Sequence, residues 1–163
     1  MQKICVIGCP GSGKSTFSRK LHEITHIPLF HLDLLFWNAD QTSVDRDTLR
    51  SRVDKVLENP AWIIDGNYGA TLDQRLSVCD TVFLFDLPAE VCLVGVEARR
   101  GMVRPDMPWI ETQEDPEFTA YIRTFSAEKL PSIEDRLAAY PQINIIRFRS
   151  RAEADRFLEQ LRL

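Results

Sequence analysis

Short apolar runs alternate with segments of helical spacing along the 163 residues of the chain. Five runs have the length and flanking turn residues of strands buried in a parallel sheet. They cover residues 3–8, 28–33, 61–65, 81–86 and 143–148, and helical material follows each of them. The alternation therefore predicts an α/β fold built from β-α units around a parallel sheet.

The helical segments are bounded by capping and breaking residues. Seven helices are expected: at residues 14–23, around residues 49–57, at 72–76, from Pro88 to near Gly101, at 117–129, at 132–140 and after Ser150. The second of them has Leu49, Val53, Val56 and Leu57 on one face. Thr42 or Ser43 is expected to cap the second of these helices, and Ser150 with Glu153 predicts a capping box for the last. Residues 101–116 contain three prolines and follow neither period, which indicates a loop or a lid.

Composition limits the classes of function. The net charge of -4 argues against a nucleic-acid-binding surface, because neutralising phosphates needs clustered Lys and Arg. The four cysteines form no Cys-x-x-Cys pair, so free thiols are expected. No apolar run is long enough to cross a bilayer, and the first residues lack the pattern of a secretory leader. We therefore expect one cytoplasmic domain over residues 1–163 with no membrane partner.

The strongest chemical signal follows the first strand. Residues 8–15, Gly-Cys-Pro-Gly-Ser-Gly-Lys-Ser, match the P-loop pattern, in which backbone N–H groups and a helix N-terminus face an anion. Lys14 is expected to reach the β- and γ-phosphates, and Ser15 to ligate Mg²⁺. The predicted cofactors are ATP and Mg²⁺. The predicted nucleotide-binding residues are Gly8, Gly11, Ser12, Gly13, Lys14, Ser15 and Thr16.

A phosphate-binding loop is shared by GTPases, ATPases and kinases. The guanine-reading Asn-Lys-x-Asp tetrapeptide is absent, and the chain is too short for a transporter-type ATPase. A small kinase and a stand-alone nucleotide hydrolase both remain as interpretations at this point, as does the choice between ATP and GTP.

Acidic residues follow two of the predicted strands. Asp33 ends the second and Asp65 ends the third, and ligands of open parallel sheets gather at the carboxyl ends of the strands. One of the two can support Mg²⁺ through its water shell and the other can orient an acceptor hydroxyl or amine; we predict Asp65 for the metal and Asp33 for the acceptor. His31 shares the predicted strand face of Asp33, could hydrogen-bond it, and is expected to be structural.

Arginines cluster where the helix after Pro88 meets the proline-containing segment. Phosphoryl transfer needs cations that close over the transferred group and exclude water. Arg100 and Arg104 are therefore predicted to be catalytic, together with Lys14 and Asp33. Taken alone, the Arg99-Arg100 pair is more typical of a solvated helix end.

Several of these pieces together resemble one family. The matching segments are residues 8–16, 31–33, 62–68, 84–88 and 104–107. In these segments the chain is similar to the DNA topology modulation proteins (FlaR-like), within the adenylate-kinase-like P-loop kinases. The resemblance implies a three-layer α/β/α sheet in the order 2-3-1-4-5, with a small helical lid at about residues 100–130.

The resemblance also implies roles for individual residues. It places Asp65 at the Asp-Gly position of nucleoside monophosphate kinases and Asp33 at their acceptor-site aspartate. Those kinases carry an arginine shortly after the Asp-Gly pair, whereas Asn67 and Tyr68 stand here. This departure disfavours a nucleoside monophosphate acceptor and makes Asp33, Asn67 and Tyr68 the candidate substrate contacts.

The expected function is ATP-dependent phosphoryl transfer to a small-molecule acceptor. The alternative is an ATP-binding regulatory protein with little turnover, which could affect DNA topology indirectly. Direct DNA binding follows only from the family label and is not expected.

Overall fold

One parallel sheet of five strands forms the centre of the protein, and the computed structural model describes all residues 1–163. The strands are β1 (Lys3–Gly8), β2 (Leu29–His31), β3 (Trp62–Asp65), β4 (Thr81–Phe85) and β5 (Asn144–Phe148). They lie in the order β2-β3-β1-β4-β5, which confirms the predicted fold. All neighbouring pairs are parallel, so the carboxyl ends of the strands meet at one edge of the sheet.

Eight helices flank the sheet. They are α1 (Lys14–Thr25), α2 (Leu32–Phe36), α3 (Arg46–Leu57), α4 (Gly69–Leu76), α5 (Ala89–Arg99), α6 (Pro116–Glu128), α7 (Leu130–Ala138) and α8 (Arg151–Arg162). The N–H of Glu153 donates to Ser150 Oγ at 3.2 Å, which confirms Ser150 as the cap of α8. The Glu153 carboxylate accepts the N–H of Arg149 at 2.7 Å and not that of Ser150, so the predicted capping box is formed only in part. No helix has the length and apolar character that crossing a membrane requires.

Burial explains why β1, β3 and β4 occupy the centre. Every residue of β3 and β4 is buried, as are five of the six residues of β1, because helices cover both faces of these apolar strands. Phe17 of α1 packs edge-on against Phe83 and Phe85 of β4, with ring centroids 4.9 and 5.4 Å apart. This contact anchors α1 behind the loop that precedes it. The four cysteines are buried and unbridged, as expected.

The second strand is shorter than predicted. It ends at His31, and Leu32 begins α2, so Asp33 lies in the first turn of a helix and does not end a strand. A continuous apolar run does not distinguish a strand from a buried helix, and the run through Phe36 therefore concealed α2. Asp33 still lies just beyond the carboxyl end of β2.

The cap of α3 also differs from the prediction. Asp45 is the capping residue, because its side chain accepts the N–H of Thr48 at 2.7 Å. The expected caps, Thr42 and Ser43, lie in the preceding turn, where the N–H of Thr42 donates to Asp40 at 3.0 Å. A residue that bonds within its own turn is not available to a helix several positions later.

Residues 101–115 form the loop predicted between α5 and α6, here called the lid loop. The N–H of Gly101 donates to Glu111 O at 2.6 Å, so the loop closes on itself. Asp115 caps α6, which packs against α5. The segment expected to act as a lid, at about residues 100–130, thus consists of the lid loop and α6, and its motion stays a prediction.

Candidate active site

The phosphate-binding loop, residues 8–15, joins β1 to α1. Gly8 has φ 143° and Gly11 has φ 80°. A Cβ would lie 2.3 Å from Phe85 O at the first position and 2.1 Å from Cys92 O at the second. Both sites therefore require glycine. The loop ends at the N-terminus of α1, whose N–H groups and positive dipole end favour an anion.

Two side chains of the loop hydrogen-bond to the loop's own backbone. Ser12 Oγ and Lys14 Nζ both donate to Cys9 O, at 2.6 and 2.9 Å. Ser12 is fully buried, so its hydroxyl stabilises the loop. Burial lowers the pKa of the Lys14 ammonium group. A bound phosphate would oppose this effect, because a nearby anion favours the charged form.

A cavity of about 520 Å³ lies beside the loop, and we call it the donor cavity. Six of the predicted nucleotide-binding residues line it: Gly11, Ser12, Gly13, Lys14, Ser15 and Thr16. Gly8 does not line it, because its backbone is bonded to Asn67 at the end of β1. The predicted phosphate-binding loop therefore lines an open cavity with residues 11–16, whereas Gly8 lies outside the lining.

Arg151, the first residue of α8, also lines the donor cavity. Its Nη2 donates to Gly11 O at 2.8 Å, which ties α8 to the phosphate-binding loop. This residue was not among those predicted from the sequence. The two partners are 140 positions apart, and no local pattern connects them.

A second cavity, of about 730 Å³, lies on the other side of Lys14, and we call it the acceptor cavity. Asp33 and Tyr68 both line it, and the Tyr68 hydroxyl donates to Asp33 Oδ1. Burial raises the pKa of Asp33, against the opposing effect of the Tyr68 hydrogen bond. Burial and the adjacent Asp33 also raise the pKa of Tyr68. Asp33 is therefore partnered by a neutral hydroxyl.

Asp65 is bonded to His31 at the edge of the acceptor cavity. His31 Nδ1 lies 2.8 Å from Asp65 Oδ2, and both side chains are buried. Burial disfavours the charged ring, but the bond to Asp65 raises the pKa of His31 above its usual value. The bond that His31 could have made with Asp33 is not formed, because α2 replaces the strand face that was predicted to carry both residues. The metal-supporting role of Asp65 stays a prediction.

Asn67 joins the acceptor side of the site to the phosphate-binding loop. The N–H of Gly8 donates to Asn67 Oδ1 at 2.9 Å, and Asn67 Nδ2 donates to Gly8 O at 2.8 Å. Both polar atoms of the amide are thus used within the protein. A substrate contact through Asn67 stays a prediction.

Arg75 fixes the segment that carries Asn67 and Tyr68. It is fully buried, and its guanidinium donates to the carbonyl oxygens of Gly66 at 3.2 Å, of Tyr68 at 3.3 Å, and of Asn67. Tyr68 has φ 35°, a left-handed conformation that is unfavourable for a bulky residue and that these bonds stabilise. Arg75 was not among the residues predicted from the sequence. Its four-residue spacing from Thr71, on the buried face of α4, is the signal that identifies it.

Three arginines lie near the junction of the cavities. Arg99 and Arg104 line both cavities, whereas Arg100 lines only the acceptor cavity. Arg104 pairs with Glu111 at 3.1 Å, and Arg100 pairs with Glu97 at 2.7 Å. Arg99 Nε lies 3.9 Å from Glu111 and is buried without a hydrogen-bond partner. Burial and the adjacent Arg104 charge lower the pKa of Arg99.

An anion at this junction would supply what Arg99 lacks, because it would bond the buried Nε and favour the charged guanidinium. Arg99 therefore joins Arg104 as a candidate for contact with the transferred group. The catalytic role predicted for Arg100 stays a prediction. Arg99 follows the buried Cys92 by seven residues, a helical spacing that identifies the inner face of α5.

The residues of the loop fit Mg²⁺ as part of a shared coordination sphere. Ser15 lines both cavities and supplies the oxygen donor that this cation prefers. No group of three or more His, Cys, Asp or Glu residues is arranged to hold a metal, so triphosphate oxygens and water would complete the coordination. When bound, Mg²⁺ neutralises charge on the phosphates.

The two cavities share one wall. Five residues line both of them: Lys14, Ser15, Arg99, Arg104 and Asp106. Three of the five are cations. Groups bound in the two cavities would therefore both lie beside three positive side chains, an arrangement that suits phosphoryl transfer.

The sheet order and the loop define a P-loop kinase fold. Over 88 residues the chain is 28% identical to the adenylate kinases of Thermotoga petrophila and Thermotoga maritima. The match covers 53% of this chain and spans only 39% of the length of each relative. No family model matches the chain, so the resemblance to the topology modulation proteins stays a prediction.

Two solved structures share the whole fold. The shikimate kinase from Bacteroides thetaiotaomicron has a TM-score of 0.61 at 18% identity, with 98% of both chains covered. The shikimate kinase from Acinetobacter baumannii, solved in complex with shikimate, has a TM-score of 0.66 at 14% identity, with 99% of this chain and 93% of that chain covered. These likenesses agree with the sheet order and establish the fold.

Proposed function

We propose that the protein is an ATP-dependent kinase that transfers the γ-phosphoryl group to a hydroxyl group of a small molecule. The shared wall of the two cavities carries this proposal. A nucleotide hydrolase needs one cavity, whereas a kinase must hold donor and acceptor with the reacting atoms about 3–3.5 Å apart. The similarity to adenylate kinases and the shikimate kinase fold support the same class.

Side chains of the shared wall and of the acceptor cavity have roles in the proposed reaction. Lys14 and the loop N–H groups bind the β- and γ-phosphates. Arg99 and Arg104 stabilise the charge on the transferring group, and Asp33, positioned by Tyr68, orients the acceptor hydroxyl. The hydroxyl oxygen forms the new O–P bond as the bond from the γ-phosphorus to the β–γ bridging oxygen breaks. That electron pair leaves with ADP, and the hydroxyl proton passes to Asp33 and then to water.

A panel of acceptors tests the proposal. The protein is incubated with γ-labelled ATP, Mg²⁺ and separate nucleosides, nucleotides, sugars, amino alcohols and small acids. A labelled phosphate ester with at least one acceptor is the expected result. Binding of ATP without any labelled product would refute the kinase proposal and favour the regulatory alternative, in which a partner should prefer the ATP-bound form.

Arg104→Ala tests the role of the shared wall. Because its charge is needed most in the transition state, we expect kcat to fall by roughly 30-fold or more while the Kd for ATP changes by less than about 3-fold. Arg156→Ala, at an exposed position of α8, is the matched control. Unchanged turnover in Arg104→Ala would remove this residue from the mechanism.

A further inference from the structure

The charges of the acceptor cavity are distributed unevenly. The cations Lys14, Arg99 and Arg104 belong to the wall shared with the donor cavity, where the triphosphate would engage them. Beyond that wall, the charged residues that line the cavity are four acids and one base: Asp33, Asp65, Glu111, Asp115 and Arg100. The part of the cavity that would receive the acceptor is therefore predominantly acidic.

The single base does not balance these acids. Arg100 is paired with Glu97 at 2.7 Å, and Glu97 does not line the cavity. Asp65 is compensated by His31 at 2.8 Å, but Asp33 has only the neutral Tyr68 hydroxyl as its partner. Glu111 is paired with Arg104 at 3.1 Å, and Asp115 caps α6 by accepting the N–H groups of Glu117 and Phe118. Asp33 is therefore the acid without a cationic partner, and an acceptor phosphate or carboxylate beside it would meet a like charge, which is unfavourable in a partly buried site.

Aromatic side chains also line the acidic part of the acceptor cavity. The rings of Trp37 and Trp109 meet edge to face, with centroids 5.0 Å apart, and both line the cavity. Trp37 also lies beside Tyr68, the partner of Asp33. Indole faces next to carboxylates are the surroundings that bind organic cations, because the ring quadrupole and the negative charge both attract an ammonium group.

Resting on the proposed kinase function, we infer that the acceptor is a hydroxylated organic amine, with its ammonium group held between the Trp37–Trp109 pair and the Asp33 carboxylate. The ammonium group would be the cationic partner that Asp33 lacks within the protein. It would also keep Asp33 ionised against the effect of burial, so that the carboxylate can accept a hydrogen bond from the reacting hydroxyl. The transferred group and the products remain those of the proposed reaction, ADP and a phosphate monoester.

Matched acceptors that differ in charge test this inference. Two sets are used with ATP and Mg²⁺: glucosamine, glucose and glucose 6-phosphate, and ethanolamine, ethylene glycol and glycolate. Within each set we expect kcat/KM for the amine to exceed that of the neutral compound by at least about 10-fold, and that of the anion by more. Equal use of amine and neutral compound, or preference for an anion, would overturn the inference while leaving the kinase proposal standing.

Binding is measured separately through tryptophan fluorescence in the presence of a non-hydrolysable ATP analogue. Trp37 and Trp109 report on the cavity, and Trp62 is fully buried in β3 and supplies a constant background. Glucosamine and ethanolamine should quench the signal at lower concentration than their neutral and anionic counterparts. Absence of quenching by either amine would overturn the inference, whether or not another compound is phosphorylated.

Variants locate the ammonium group. Asp33→Asn should weaken binding of the amines by at least about 10-fold more than it weakens binding of the neutral compounds, which lose only the contact to their hydroxyl. Trp109→Leu should act in the same direction, and Trp109→Phe should restore most of the binding. Asp40→Asn, in the exposed turn after α2, is the control because its bonds to Thr42 use an oxygen that asparagine retains. Equal effects of Asp33→Asn and Asp40→Asn would contradict the assignment.

Discussion

Asn67→Ala is the substitution that best separates the scaffold of the site from its chemistry. The amide of Asn67 makes two hydrogen bonds to the backbone of Gly8, at 2.9 and 2.8 Å. Gly8 is the first residue of the phosphate-binding loop and is itself buried. Alanine removes both bonds without introducing charge or bulk, so its effect reports on how far this clamp holds the loop.

The expected magnitude follows from the two bonds. Each contributes about 0.5–1.5 kcal/mol net, and a buried group left without a partner costs about 1–3 kcal/mol. Water can enter the space vacated by the amide and satisfy part of this loss. We therefore expect the free energy of unfolding to fall by about 2–4 kcal/mol, which lowers Tm by roughly 5–15 °C for a chain of this size.

The assay combines thermal unfolding with calorimetric titration of Mg·ATP. Because a displaced Gly8 misplaces the N–H groups that follow it, the Kd for ATP should rise by at least about 10-fold. Asn38→Ala is the control, since Asn38 lies in an exposed turn and its side chain bonds only Thr42. A Tm within about 1 °C of the unmodified protein would refute the energetic reasoning, and a lower Tm with unchanged ATP affinity would refute the coupling to the loop.

Three further predictions concern charged groups. Lys14→Ala should weaken binding of ATP or its turnover by roughly 100-fold or more, against little change in Lys55→Ala on α3, as measured by calorimetry and product formation; equal effects would contradict the role of Lys14. Arg99→Met should lower kcat more than Arg100→Met, since only Arg99 lines both cavities, and the reverse order would show that Arg100 contacts the transferred group. His31 has a raised pKa, so the stability it contributes should be fully present below about pH 6.5 and be lost as pH rises through its folded pKa. Denaturant unfolding of the unmodified protein and of His31→Gln between pH 5.5 and 9 should give a difference that shrinks with pH, and a constant difference would contradict the assignment.

The sheet was predictable because its strands are short apolar runs separated by helices, and the loop was predictable because its spacing is fixed by phosphate binding. The region after β2 was not. Residues 28–36 are almost entirely apolar, and burial satisfies a strand and a helix equally well there. The prediction therefore placed Asp33 at a strand end, whereas it lies in α2, and His31 bonds Asp65 instead of Asp33.

Part of the site depends on contacts that no local pattern contains. The His31–Asp65 pair joins residues 34 positions apart, and the contact between Arg151 and Gly11 joins residues 140 apart. Arg75 and Arg99 belong to a different case, because helical spacing places both on inward faces of their helices. An arginine on an apolar stripe is a recognisable signal, since burying its charge requires several hydrogen-bond partners.

The stoichiometry of phosphoryl transfer tests the account most directly. ³¹P NMR of the protein with Mg·ATP and the acceptor panel resolves ADP, inorganic phosphate and a new phosphate monoester in one experiment. The account predicts that the monoester forms in equal amount with ADP, and that neither appears in Lys14→Ala. Formation of ADP with inorganic phosphate alone, at the same rate with and without acceptor, would contradict the claim that the two cavities meet to join a donor and an acceptor.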